Sequence, residues 1–288
     1  MEMFDKRTLI PVFGAAGLAL AAFAAPAFAD GEPGSLKDAP VAEEGRKFTW
    51  SFTAAAVTDY VFRGISQSNE KPAFQPSLDV GYGIFYAGVW GSTLDFGDDE
   101  LGGVPPTLGE DAQVEIDVYA GVRPTWGPVN FDFGVLGYLY PSASDTAGEL
   151  DYVEFKAAYS TAGLLIPKLT SGTALYYSPE YGGELGETLA VESTLAYELP
   201  QFLTVTPTIS GLVGTLYGND DAFKAAFSDD KYYYWNAGLS LAIEKFTFDF
   251  RYWDTNLDTT GGFPCDGGAV NVFDCGERFV GTVKITLP

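Results

Sequence analysis

The sequence predicts an all-β chain: a transmembrane, antiparallel, up-and-down β-barrel of about twelve strands. Three observations predict it. Apolar and polar residues alternate with a period of two over segments of about ten residues, where an ordinary strand runs to about five or six. The apolar face of these segments is aromatic at its ends and small in its middle, as an apolar band between two aromatic girdles requires. Connections run short and long by turns, so tight turns gather at one end and loops at the other. With 15% aromatic residues and 34 glycines, the chain carries more rings than an acidic soluble protein would leave uncovered. After the N-terminal leader no stretch reaches the roughly 18 uninterrupted apolar residues that a membrane-crossing helix needs, which excludes a helical membrane protein.

The leader comes first in the chain. Lys6 and Arg7 precede an apolar stretch from Leu9 to Ala25, Pro26 breaks it, and Ala27-Phe28-Ala29 offers small residues where a signal peptidase reads. Residues 1–29 are expected to be a cleaved secretory signal, residues 30–47 a periplasmic N-terminal linker, and residues 48–288 the barrel. An uncleaved anchor would not need Pro26 and the small-x-small ending.

The first strand places Phe48, Trp50, Phe52, Ala54, Ala56, Thr58, Tyr60 and Phe62 on one face and Thr49, Ser51, Thr53, Ala55, Val57, Asp59, Val61 and Arg63 on the other. Phe74, Pro76, Leu78, Val80 and Tyr82 then alternate against Gln75, Ser77, Asp79 and Gly81. Val114, Ile116, Val118, Ala120 and Val122 alternate against Glu115, Asp117, Tyr119, Gly121 and Arg123. Apolar faces recur over 129–135, 153–159, 189–197, 235–243, 246–252 and 279–287. Weaker strands cover 84–96, 169–177 and 203–217, where the pattern does not assign the faces.

Short connections fall near Gly83, Pro124 to Pro128, Thr161 to Lys168, Leu199 to Phe202, and Glu244 to Lys245. Long ones fall near 64–72, 97–111, 141–149, 178–187, 218–231 and 254–276. With both termini in the periplasm, every short connection is periplasmic and every long one external, which makes the strand number even. A soluble β-sandwich or a lipocalin-type barrel would alternate as well. Strand length, aromatic ends and charges on the opposite face favour lipid outside, and twelve strands enclose more width than side chains readily fill.

The stretch "TDYVFRGISQSNEKPAFQPSLDVGY", followed by "GIFYAGVWGSTLDF" and "VEIDVYAGVRP", resembles the TorF porin family, also known as the Gcw_chp family of proteobacterial secreted proteins. The likeness spans most of the chain after the leader and is densest over residues 50–125. It implies an outer-membrane location and a porin role, and brings no catalytic residue and no cofactor. The chain departs from common outer-membrane endings by finishing on Leu287-Pro288 rather than on an aromatic residue.

Placing the apolar face against lipid gives the other face its meaning. Asp59, Arg63, Asp79, Glu115, Asp117, Arg123, Glu154, Lys156, Glu192, Asp249 and Arg251 become pore-lining residues, with Asp132, Glu198 and Lys284 beside them. An Arg or Lys at the lipid midplane would cost about 2–4 kcal/mol. This lining holds nine acidic against five basic residues, and acidic loops such as "GELGE", "GNDD" and "SDDK" carry much of the net charge of −23. Such a field concentrates cations, so passive diffusion of small hydrophilic solutes with a mild cation preference is expected. Nucleic acid is excluded as a partner by like charge; outer-membrane lipid is the expected surround, and a homo-oligomer stays open. The bland reading is that Asp249 with Arg251, and Glu154 with Lys156, neutralise each other two residues apart, and that the barrel is filled and serves as a scaffold or surface-binding protein. Arg63 either narrows the outer mouth together with the "GISQSNEKPA" loop or ties Asp59 or a neighbouring strand in place.

Cys265 and Cys275, ten positions apart in an exported chain, are read as a disulfide. No metal is expected, since the chain has no His and only two thiols. The same absence of His argues against an enzyme built on a Ser–His pair. Glu115 and Asp117, about 7 Å apart along one strand, read as lining rather than as an acid–base pair.

Overall fold

A computed structural model describes residues 47–96, 112–141, 143, 149–257 and 275–288. The leader and linker proposed for residues 1–47 lie outside this set except for Lys47, as do Cys265 and most of the second and last long loops. Twelve long strands make one continuous wall: β1 (Phe48–Val57), β4 (Ala73–Tyr82), β5 (Phe85–Thr93), β6 (Val114–Val122), β8 (Val129–Leu139), β9 (Tyr152–Ala162), β10 (Leu169–Ser178), β11 (Thr188–Glu198), β12 (Val205–Gly218), β13 (Lys231–Ile243), β14 (Phe246–Thr255) and β15 (Arg278–Leu287). Three short strands accompany them: β2 (Val61–Phe62), β3 (Ile65–Ser66) and β7 (Thr125–Trp126). A single helix, α1 (Asp221–Phe227), follows β12 among the described residues.

Every long strand pairs antiparallel with its neighbours in the chain, and the wall closes where β1 meets β15 in the register Ala54↔Ile285. Closure leaves no long strand without a neighbour on either side, which is what lets a sheet stand in a medium that offers no hydrogen bonds. The short-turn end holds Phe48, Tyr82, Phe85, Tyr159, Tyr197 and Phe246 on the outer face, and the long-connection end holds Phe74, Phe155, Tyr177, Tyr217, Tyr233 and Phe279, all of them exposed. Between the two rings lie smaller apolar groups such as Leu78, Val89, Val118, Val135, Leu175, Val213 and Val283, also outward. Cross-strand partners explain the rings: Phe48 and Phe85 both pair with Tyr82, and Phe155 pairs with Tyr177, so each aromatic is set beside another.

The three strands whose faces the pattern left unassigned now have them. Phe85 and Val89 of β5, Leu175 and Tyr177 of β10, and Ile209, Val213 and Tyr217 of β12 face out; Trp90, Tyr176, Leu212 and Leu216 face in and are buried. Glycines make room for inward rings. Tyr119 lies flat over Gly88, its partner on β5, and Tyr234 over Gly214, its partner on β12, at positions where a Cβ would collide with the ring.

The first strand does not continue to Arg63. Pairing of β1 with both neighbours ends at Val57, and the chain then turns into the barrel. Residues 58–72 carry the β2–β3 hairpin, whose two-residue turn has both residues at positive φ, Arg63 at 49° and Gly64 at 84°. That is the turn whose twist matches a tight hairpin. Tyr60, expected on the lipid face, is buried inside instead.

Candidate functional site: the barrel interior

The width that side chains alone would leave empty is taken up by the inward hairpin. Its tip residue, Arg63, meets Glu154 of β9 in a two-pronged pair, Nη1 to Oε1 at 2.7 Å and Nη2 to Oε2 at 2.9 Å. The side chains are 2% and 0% exposed. Two parallel charge-assisted bonds fit the planar guanidinium to the planar carboxylate. Tyr138 donates to the second Glu154 oxygen at 3.0 Å, so the carboxylate is satisfied on both sides. The Arg63 guanidinium also lies 4.7 Å from the ring centre of Phe62 and 5.4 Å from that of Tyr176. Tyr181, in the loop after β10, completes the aromatic enclosure at 5.7 Å; burial pushes its hydroxyl up to about 12, against the opposing pull of Arg63.

Other residues hold the hairpin at its root. Asp59 accepts from Ser66 Oγ at 2.6 Å and Ser68 Oγ at 3.0 Å, and from Arg278 Nη1 of β15 at 3.0 Å. Tyr60 donates to Glu115 at 2.9 Å and meets Trp90 edge-on. Gly64 sits so close to Tyr234 and Thr255 that a side chain there would strike both. Around the hairpin, Leu136, Leu212, Leu216, Tyr232, Tyr234 and Trp253 form an apolar cluster that reaches Phe223 of α1. The long-connection half of the barrel is thereby packed like a protein core.

The short-turn half is built differently. Asp132 collects Lys156 at 2.8 Å, Arg123 at 3.3 Å and the Tyr86 hydroxyl at 2.7 Å. Asp79 accepts from Tyr119 at 2.5 Å. Arg251 joins Asp249, Asn236 and Ser210 into one chain of hydrogen bonds, and Asp249 also accepts from Ser240. Here the groups retain some solvent contact: Arg123 is 25% and Asp249 14% exposed.

Of the eleven residues expected to line a lumen, Asp59, Arg63, Glu115, Asp117, Glu154, Lys156, Glu192 and Arg251 are buried and Asp79, Arg123 and Asp249 half-buried, and two expectations about them are corrected. Asp59 and Arg63 are not on a strand face; they belong to the inward hairpin. Glu154 and Lys156 do not neutralise each other either, since Glu154 is matched by Arg63 and Lys156 by Asp132, whereas Asp249 and Arg251 do pair as neighbours on β14. Glu198, expected beside the lining, sits at the rim and meets Lys168 of the neighbouring β9–β10 turn. Arg278 was missed, although it shares the parity of Lys284 and needed only a one-residue extension of the last strand. The carbonyl of Cys275 accepts from Thr255 Oγ1 at 2.9 Å; its expected partner Cys265 lies outside the described residues.

Solved structures with a similar course of chain include a porin and an outer membrane channel. The NanC porin is 11% identical with a TM-score of 0.47, covering 83% of this chain and 100% of that one. The outer membrane channel DcaP of Acinetobacter baumannii is 9% identical with a TM-score of 0.39 over 86% and 99%. LpxR from Salmonella typhimurium is 9% identical with a TM-score of 0.44 over 82% and 99%. Among curated proteins none matches the chain. The profile of a bacterial family of unknown function, Gcw_chp, matches residues 41–277, and the chain belongs to that family.

Proposed function

We propose that the protein is a porin-type barrel of the outer membrane, in line with the TorF resemblance, and that small hydrophilic solutes pass with a mild cation preference when the β2–β3 hairpin leaves its seat. One observation carries this reading. The wall is inside-out, with two rings of exposed aromatics outside and the charges within. Such a surface is stable only where hydrocarbon covers it, and the height of ten-residue tilted strands matches a bilayer. The long connections then face outward and the short turns the periplasm. The signal over residues 1–29, the linker over 30–47 and the Cys265–Cys275 bridge belong to the same proposal.

Inside the wall, Asp59, Asp79, Glu115, Asp117, Asp132, Glu154, Glu192 and Asp249 stand against Arg63, Arg123, Lys156, Arg251, Arg278 and Lys284. The small acidic excess supports a mild preference, strengthened by the acidic loops at the mouth. The burial of Arg63 and Glu154 favours a second reading, in which the barrel is permanently filled and its acidic loops present a binding surface.

Planar bilayers separate the two. The native protein is expected to be closed most of the time, and Arg63→Ala to give frequent ohmic steps with a cation-side reversal potential. Glu115→Gln combined with Asp117→Asn in that background should move the reversal potential toward zero. Silence of both native and Arg63→Ala protein over many insertions leaves the filled barrel, and steady large steps from the native protein contradict a closing hairpin.

A further inference from the structure

The seam between β4 and β5 is incomplete. Cα partners run from Tyr82↔Phe85 to Ser77↔Trp90 and stop there. Yet β4 stays paired to β1 as far as Val57↔Ala73, and β5 to β6 as far as Thr93↔Val114. Pro76 supplies the reason. The amide of Phe74 points toward β5, where it donates to the Thr93 hydroxyl at 3.1 Å rather than to a carbonyl. Two residues on, the Pro76 nitrogen faces the same way and has no hydrogen to give. A proline in a strand flanked on both sides interrupts the ladder it would have continued.

Over this interruption the outer wall is hollowed into a groove of about 410 Å³. Its sides are Phe52, Phe74, Pro76, Leu78, Val89 and Ile116, and its floor reaches Trp90, an inward side chain only 2% exposed. The hydroxyls of Ser77, Ser92 and Thr93 line it as well, but no charged side chain does, and its open side faces the same way as the apolar belt. The geometry points to a site for one hydrocarbon chain of a membrane lipid, entering sideways between β4 and β5 and ending against Trp90. The inference rests on the lipid-facing reading of the outer wall. Because Trp90 meets Tyr60 at 5.4 Å between ring centres, the end of that chain would lie one ring away from the inward hairpin.

Vesicles of phospholipid brominated along the acyl chain test it, since bromine quenches tryptophan only at short range. Three chains are compared, each keeping one reporter and with Phe at the other tryptophans: Trp50, 52% exposed on the outer wall; Trp90; and Trp253, 2% exposed inside. Trp50 and Trp90 are expected to be quenched and Trp253 spared. Ile116→Phe, which fills the groove, should abolish most of the Trp90 quenching and leave Trp50 unchanged. Trp90 as bright in brominated as in plain lipid, with Trp50 quenched, overturns the site, whether the groove is empty or covered by a second copy. So does Trp90 quenching that Ile116→Phe leaves intact. An unquenched Trp50 overturns the lipid-facing wall itself. Where a single-tryptophan chain does not fold, the fraction of quenching lost on Trp90→Phe in the otherwise native chain gives the same readout.

Discussion

Glu154→Ala is expected to lower the unfolding free energy of the protein folded in lipid vesicles by about 3–5 kcal/mol, because it leaves a guanidinium buried without its counter-charge. Arg63 cannot shed that charge by losing a proton. The opposite change, Arg63→Ala, should cost less, since Tyr138 still donates to the carboxylate left behind. Joint replacement, Arg63→Leu with Glu154→Leu, should recover much of the loss, because a buried ion pair is often no better than apolar groups of similar volume. Urea titration followed by tryptophan fluorescence measures all four proteins. Losses below about 1 kcal/mol for Glu154→Ala would mean that Arg63 reaches water in the native state, and the hairpin would then not be a packed element.

The second large effect concerns the outer wall. Val213→Arg, at the middle of the outward face of β12, should cost about 2–4 kcal/mol in the same titration, and Tyr217→Arg near the long-connection girdle only about 0–1 kcal/mol from its charge. The gradient with depth is the diagnostic part. A soluble barrel would show small and equal effects at both positions, since both side chains are exposed and an exposed substitution in water changes little.

Much of the wall was legible from residue order alone. Period two over long segments, rings at the ends of one face and alternating loop length lead to twelve strands, with short turns at one end of the wall and long connections at the other. The faces of β5, β10 and β12 were not legible, for a physical reason. Their inward positions hold Trp90, Tyr176, Leu212 and Leu216, which pack against the hairpin and one another, so the contrast between the two faces is lost. The hairpin escaped notice because parity runs on through Tyr60 and Phe62 after the backbone has left the sheet. The one local sign was Arg63-Gly64 between "VF" and "IS", a two-residue turn flanked by β-formers. The partners of the charges were also beyond reach. Spacing along one strand suggests Glu154 with Lys156, but a closed wall brings residue 63 to residue 154 and residue 156 to residue 132, and only the three-dimensional course of the chain chooses between them.

A cysteine scan along β12 tests the inside-out wall most directly. With Cys265 and Cys275 replaced by Ser, single cysteines from position 208 to position 217 carry a fluorophore in vesicles containing a lipid-borne quencher. The account predicts alternation: positions 209, 211, 213, 215 and 217 quenched by lipid, and positions 208, 210, 212 and 216 untouched, with Gly214, where a side chain would strike Tyr234, kept as glycine. Uniform quenching, none at all, or alternation with the opposite parity would contradict it.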